Sequence, residues 1–424
     1  MNDSTNGIET TAPVLPTSCG SPLLMFRLSL MMFLQYAIWG AWTTALGAHL
    51  LDTLGFSGKQ TGLIYGCLWL GCMIAPFIGG QFADRLMPTQ VFLALAHLIG
   101  AVFLYLTAVQ TEFGAMWVWM FLYSLCYAPT LALTNSICFH NLHDPERQFG
   151  KIRLWGTTGW IVAGLMVWLI RRTWHTELWA DKSDLLLIAA AVSVVMGVFC
   201  FALPHTPPRR QSKHPLAFLE AVALLKDKNF LVFMLISFVV TTELQFYYVP
   251  TAPFLIDRGA GAEAITAIKT AAQLAEIAVL LWLLHRSLNR FGVRKTMIIG
   301  VLAWPLRYLL FTIPYLPINV ASLTLHGFGY AFFFVASQIY VNMKAQDDMR
   351  ASAQALLTFF TLGIGNFLGT QFTGWCLDFF STDAGEQRWS TFFMVPTAIC
   401  IACALAFVLF FHDDVKVTQE MSTA

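Results

Sequence analysis

Apolar runs of about 20 residues follow one another along almost the whole chain. They lie near 24–50, 61–81, 89–109, 115–139, 153–171 and 184–203, then near 229–255, 265–287, 295–314, 317–341, 351–376 and 390–411. Roughly 20 apolar residues wound as an α-helix reach across the ~30 Å hydrocarbon core of a bilayer. No water is available there to bind a bare N–H or C=O, and a helix satisfies its backbone from within the segment. The expectation is therefore an all-α integral membrane protein with twelve transmembrane helices. Composition supports it: of 424 residues 57% are hydrophobic and 12% charged, with a mean hydropathy of +0.64, far outside the soluble range.

The largest polar break, Pro204-His-Thr-Pro-Pro-Arg-Arg-Gln-Ser-Lys-His-Pro215, divides these runs six and six. The expected organisation is a tail at 1–22, a six-helix half at 23–205, a linker at 206–228, a second six-helix half at 229–411 and a tail at 412–424. Residues 1–22 have no basic segment before the first apolar run, so they read as a disordered tail, not a cleaved signal. With the amino terminus in the cytoplasm, the inside loops would hold Arg85, Arg147, Lys151, Arg209, Arg210, Lys213, Arg290, Arg294, Lys295, Lys344 and Arg350 among others. The outside loops would hold only Lys59, Arg171, Arg172, Lys182, Arg258 and Arg388. Positive charge collects on the cytoplasmic side, so both termini are expected inside.

Two inside loops occupy equivalent places. Gly79-Gly-Gln-Phe-Ala-Asp-Arg85 follows the second run and Asn289-Arg-Phe-Gly-Val-Arg-Lys295 the eighth, which suggests an internal repeat. In the first loop, Gly80 would let helix ends approach, while Asp84 and Arg85 make charge contacts that change with conformation. The alternative is a tight turn with solvated charges.

Several function classes are excluded at this level. A net charge of +1 with scattered basic residues disfavours nucleic acid. Nine cysteines form no metal-ligand pattern with histidine, and Cys400-Ile-Ala-Cys403 sits inside an apolar run as packing. No metal cluster, nucleophile–base pair or phosphate loop points to an enzyme, and no cofactor is implied.

The polar residues inside the runs are the candidate site. Gln273 and Glu276 share one face of an otherwise apolar helix. A charge near the bilayer centre costs about 2.5–3.5 kcal/mol on insertion scales, so it normally faces a partner or a water-filled path. Lys269, on the same side, either neutralises Glu276 or snorkels outward. Arg153, Thr157 and Trp160 stand at i, i+4 and i+7, combining a forked donor, a hydroxyl and a flat apolar face. Alternatively, Arg153 snorkels to headgroups and Trp160 packs. In the seventh run Gln245 and Tyr248 share a face assigned to the cavity, and Glu243, about 200° around the helix from Gln245 at ~100° per residue, is assigned to an interhelical contact. In the tenth, His326, Tyr330, Phe333 and Ser337 alternate rings with polar tips, suited to stacking on a base or sugar; as an isolated stripe this is more often a core pattern, with His326 a satisfied interior histidine.

Ile152-Arg-Leu-Trp-Gly-Thr-Thr-Gly159, Glu243-Leu-Gln245, Gln273-Leu-Ala-Glu276 and Arg350-Ala-Ser-Ala-Gln354, in this order, resemble the nucleoside:proton symporter family of the major facilitator superfamily. Leu34-Gln-Tyr-Ala-Ile-Trp-Gly-Ala-Trp42 and Ala128-Pro-Thr-Leu-Ala-Leu-Thr-Asn135 are similar as well, and the resemblance runs from residue 27 to about 411. It implies a major facilitator fold in a bacterial inner membrane, moving nucleosides by alternating access, and a loop like that of Gly80, Asp84 and Arg85 is characteristic of the superfamily. It also implies that Arg153, Thr157, Gln245, Gln273 and Glu276 contact the nucleoside, with Trp160 stacking on or enclosing it.

Ala331 stands where the family's tenth helix carries an aspartate, and Asn342 where a second acid is usual. Glu276 is then the proton-coupling candidate, since a carboxylate in a low-dielectric interior can exchange its charge for a proton. Without coupling the chain would be a facilitator. A carrier of another small polar solute such as a sugar, or a non-transporting sensor on the same fold, are the further alternatives. The expected partners are a nucleoside, protons and the lipid bilayer, with the monomer as the functional unit.

Overall fold

The computed structural model describes residues 22–82, 87–143, 145–173, 183–207, 217–346, 349–382, 385–412 and 414, except for the side chains at 76–82, 145–147, 217–218 and 351. The first group of helices comprises α1 (Pro22–Thr43), α2 (Gly58–Phe82), α3 (Thr89–Ala108), α4 (Phe113–Asn141), α5 (Pro145–Thr173) and α6 (Asp184–Cys200). After a 3-10 segment at Ala217–Lys226 come α7 (Lys228–Tyr248), α8 (Ile265–Ala278) and α9 (His285–Phe311). Then follow α10 (Leu316–Lys344), α11 (Ser352–Phe379) and α12 (Trp389–Phe410). Among the described residues there is no extended sheet, only one bridge between Ser381 and Gln387.

Nine helical runs among the described residues are long and apolar enough to cross a membrane. One of them, Ala262–Phe311, is 50 residues long and turns at Gly292, whose φ of 77° only glycine adopts readily. That turn falls in the loop singled out as the repeat of the one after α2. Large apolar side chains such as Phe26, Val102, Val198, Trp282, Leu405 and Phe410 point outward, as a protein solvated by lipid requires. The chain is a multi-pass membrane protein with an all-helical fold.

Small residues set the crossings, as expected where lipid supplies no hydrophobic drive between helices. Within the first group α1 packs on α5 and α6, α2 on α4, and α3 on α4 and α6. At the α1–α5 crossing a Cβ on Gly159 would lie 2.1 Å from the Phe33 carbonyl oxygen. Within the second group α7 packs on α11 and α12, and α9 on α10 and α12. The two groups meet chiefly where α5 packs on α8 and α2 on α11, and also where the short helix at Leu46–Ala48 packs on that at Thr251–Asp257. At one end the approach is especially close. A Cβ on Gly374 would lie 2.3 Å from the Gly58 carbonyl oxygen, and one on Gly47 would lie 2.2 Å from that of Val249. There Asp378 of α11 accepts hydrogen bonds from the backbone N–H groups of Gly58 (2.5 Å) and Lys59 (3.0 Å) at the start of α2.

The expected first run, 24–50, is not one helix. α1 ends at Thr43, and the chain re-forms a short helix at Leu46–Ala48 that passes into a π-helical turn at His49–Thr53. Asp84 and Arg85 lie outside the described residues, and Gly80 is described only as helical backbone in the last turn of α2. The expected tails and the basic centre of the linker lie largely outside them as well.

Candidate functional site

A cavity lies between the two groups of helices, lined by α1, α2 and α5 on one side and α7, α8, α10 and α11 on the other. Of the residues expected at the site, Arg153, Thr157, Trp160, Gln245, Tyr248, Gln273, Glu276 and Tyr330 line it. His326 does not. It is 1% exposed and sits behind the wall, stacked between Tyr247 (4.9 Å) and Tyr330 (5.8 Å). Phe333 and Ser337 are buried and also stand away from the cavity.

The N-terminal wall is aromatic. Tyr36, Trp39 and Thr43 follow i, i+3, i+7 spacing on α1 and share the face that meets α5. Trp39 presents its edge to Trp160 at 5.2 Å and to Trp69 of α2 at 5.8 Å. The Arg153 guanidinium lies over the Tyr36 ring at 4.1 Å, a cation–π contact that replaces part of its lost hydration. Gly156 makes that contact possible, because a Cβ there would come within 2.7 Å of both Arg153 and the Tyr36 ring. Arg153 therefore does not snorkel; it turns into the protein beside the cavity.

The C-terminal wall is polar. Gln245 Nε2 donates to Asn366 Oδ1 at 2.7 Å, which leaves Gln245 Oε1 buried without a partner in the protein. Gln273 Oε1 is likewise unpartnered; the Tyr247 hydroxyl lies near it without meeting hydrogen-bond geometry. The indole N–H groups of Trp39 and Trp160 also lack partners. Among the cavity-lining residues, the side-chain oxygens of Thr43, Gln245 and Gln273 and the indole N–H groups of Trp39 and Trp160 are thus buried without a partner in the protein, besides the charges of Arg153 and Glu276. Buried polar groups left this way cost about 1–3 kcal/mol each, so the arrangement is built for a polar occupant.

Glu276 meets His326 Nε2 at 3.9 Å from behind and interacts with Arg153 across the cavity. Gly327 lets the two helices meet, since a Cβ there would be 2.7 Å from the Glu276 backbone nitrogen. Lys269 follows neither expected course. It is 1% exposed, and its ammonium sits over the Tyr247 ring at 5.1 Å without a hydrogen-bond partner. Glu243 faces away from the cavity as its helical phase predicts, toward Arg307 of α9.

Sequence reasoning did not assign Tyr36, Trp39, Trp69 and Asn366 to the site, nor pick out Arg307 behind it. The i, i+3, i+7 stripe on α1 and the two lone polar residues inside apolar runs were the available signals.

Comparison with known proteins agrees with this architecture. A family model described as nucleoside H+ symporter matches residues 23–416. The putative nucleoside transporter YegT of Escherichia coli (strain K12) is 35% identical over 403 residues, covering 92% of this chain and 94% of that protein. The crystal structure of the nucleoside transporter NupG superposes with a TM-score of 0.81 at 29% identity, covering 91% of this chain and 98% of that one. A D-xylose-proton symporter, at 12% identity and a TM-score of 0.70 over 92% of this chain and 98% of its own, shares the fold alone, that of the major facilitator superfamily. The chain belongs to the nucleoside H+ symporter family.

Proposed function

We propose that this protein carries nucleosides across a bacterial inner membrane by alternating access, coupled to protons, with the cavity between its two halves as the substrate site. The observation that carries the proposal is the pairing of an aromatic wall with a wall of unpartnered amide oxygens. A nucleoside is a flat base joined to a hydroxylated ring. Trp39, Trp160, Tyr248 and Tyr330 offer faces and edges to the base, while Arg153, Thr157, Gln245, Gln273 and Glu276 offer donors and acceptors to base edges and ribose hydroxyls. His326 supports the site from behind.

Residues 23–205 and 229–411 form the two moving halves, with twelve crossings in all and both termini in the cytoplasm. The close contacts of Gly58 with Gly374 and Gly47 with Val249 lie at the end assigned to the outside, which supports an inward-facing state here. Rocking about the site would open that end and close the other. Gly80, Asp84 and Arg85 are proposed to stabilise the closed cytoplasmic end. The monomer holds the whole cavity, and lipid is its only proposed surrounding partner.

The test is uptake of labelled uridine, adenosine and other nucleosides into proteoliposomes over a range of pH. The expected result is saturable uptake that exceeds equilibrium when an inward proton gradient is imposed. No uptake of any nucleoside would overturn the proposal. Uptake that never exceeds equilibrium would identify a facilitator, which the absence of acids at Ala331 and Asn342 would explain.

A further inference from the structure

Behind the cavity lies a buried guanidinium that the proposed substrate site does not use. Arg307, in α9, is 0% exposed within an apolar span, where an unpaired charge is costly. Its guanidinium lies over the rings of Tyr247 (4.3 Å), Trp304 (4.6 Å) and Tyr308 (4.8 Å). Nη2 donates to the Tyr308 hydroxyl at 3.0 Å, which in turn donates to the Glu243 carbonyl oxygen at 3.2 Å. The guanidinium is thus held from several sides.

Nη1 of Arg307 lies 3.3 Å from His326 Nδ1. Arginine has donors and no acceptor, so in this contact Nδ1 must be the acceptor and the ring's proton must sit on Nε2. Nε2 is the nitrogen that faces Glu276, 3.9 Å from Oε2. The ring cannot easily turn away, because it stacks on Tyr247 and Tyr330 and meets Trp304 edge-on at 5.7 Å.

We propose that Arg307 is a positioning residue for transport. By donating to His326 it fixes the ring's tautomer, aims the Nε2–H at Glu276, and so sets from α9 where that carboxylate points and when it holds a proton. The proposal rests on Glu276 contacting substrate and proton, as argued above. The ionisable groups around the imidazole are Glu276 and Lys269 of α8, Glu243, Tyr247 and Tyr248 of α7, Arg307 and Tyr308 of α9, and Tyr330 of its own helix, with Arg153 of α5 across the cavity from Glu276. Lys269 makes no hydrogen bond, and Tyr247, Tyr248 and Tyr330 meet the imidazole through their rings, which leaves Arg307 to orient it. The 3.9 Å gap to Glu276 exceeds a hydrogen bond, and a shift of about 1 Å by the carboxylate would close it. His326 then acts as a donor to Glu276, and the transported proton stays with the carboxylate.

The test uses purified protein in proteoliposomes, a nucleoside that the wild type transports, and rates normalised to incorporated protein. His326→Phe keeps the stacked ring and removes both nitrogens; His326→Gln keeps a donor near the Nε2 position. The Phe variant is expected to raise KM about tenfold or more and to flatten the pH profile of uptake, and the Gln variant to recover most of both. Arg307→Met should resemble His326→Phe and add nothing in the His326→Phe background, because it acts through the imidazole. An unchanged pH profile in His326→Phe, or an Arg307→Met cost as large in that background as in the wild type, would overturn the proposal. Should Arg307→Met fail to insert, Arg307→Lys takes its place in the same cycle, and a cost as large in the His326→Phe background as in the wild type would again overturn the proposal. A wild type that transports no nucleoside would instead remove the function on which the proposal rests.

Discussion

Glu276 stands between two side chains from opposite directions, the Arg153 guanidinium across the cavity and the neutral His326 imidazole behind it. It is the one carboxylate lining the cavity among the described residues. Glu276→Gln keeps the shape and a hydrogen-bonding end but cannot trade charge for a proton. Accumulation of nucleoside against its gradient should be lost, while exchange of external label for internal substrate persists. Counterflow and pH-driven uptake on the same vesicles separate the two, and retained pH-driven accumulation would exclude Glu276 as the coupling group. Asn366 makes a second prediction. Asn366→Leu removes the acceptor for Gln245 Nε2 and frees that amide to rotate out of register, so affinity should fall about tenfold, from a buried donor left unpaired. Glu276 was legible from the sequence because an acid in an apolar run violates the run's own chemistry. Arg307 and Asn366 carried the same signal in their runs. The tryptophans of α1 did not stand out, because an aromatic residue fits a lipid-facing or packed position as readily as a cavity, and only the facing helix decides.

At the scale of the element, the site depends on where helices touch. Gly159 lets α1 and α5 approach within van der Waals distance of each other's backbone, and that crossing aligns the Tyr36 stripe with the Arg153 stripe. Gly159→Leu would force the helices apart. It should lower the melting temperature in detergent by the equivalent of about 1–3 kcal/mol of overpacking and weaken substrate binding, although residue 159 does not line the cavity. The start of α7 is held by Asp227, whose carboxylate accepts from the N–H groups of Asn229 (2.8 Å) and Phe230 (3.0 Å) and meets Lys344 Nζ at 2.7 Å. The ammonium of Lys344 first, and the Phe230 N–H after it, hold the Asp227 carboxyl below its usual range. Stability from this cluster is therefore present above the ordinary carboxylate value and fades as pH falls through the lowered folded one. The carboxylate is 39% exposed, so the ion pair itself contributes little. Asp227→Ala should cost about 1 kcal/mol, chiefly from the lost cap, read as a lower melting temperature at pH 7. Helix existence was legible because long apolar runs have few alternatives in a membrane. The break after Thr43 was not, since Ala45 and Leu46 differ little in apolar character from their neighbours and the re-formed turn is held by contact with the other half, at Val249.

For the whole molecule, the polar break at 204–215 was legible as a linker, because a stretch rich in proline and charge cannot be buried in lipid. Which helices meet across the halves was not legible, since it depends on which end of the transporter is closed. Here α2 and α11 close one end through glycine-to-glycine contact, reinforced by Asp378 accepting the N–H groups at the start of α2. Both contacts must break for that end to open. In the proposed rocking motion they would set the balance between states without lining the cavity. Gly374→Val places two methyl groups where the Gly58 carbonyl oxygen sits, which cannot be relieved without separating the helices. A cysteine at Thr43, on the cavity wall, in a background without the native cysteines, would report the result. A membrane-impermeant maleimide applied from the Gly58 side should label it slowly with Gly374 intact and several-fold faster in the valine variant, because the equilibrium has moved toward opening at that end. Saturating nucleoside should slow labelling in both by occupying the cavity. Equal rates with and without Gly374→Val would mean that the α2–α11 contact packs the bundle without gating it.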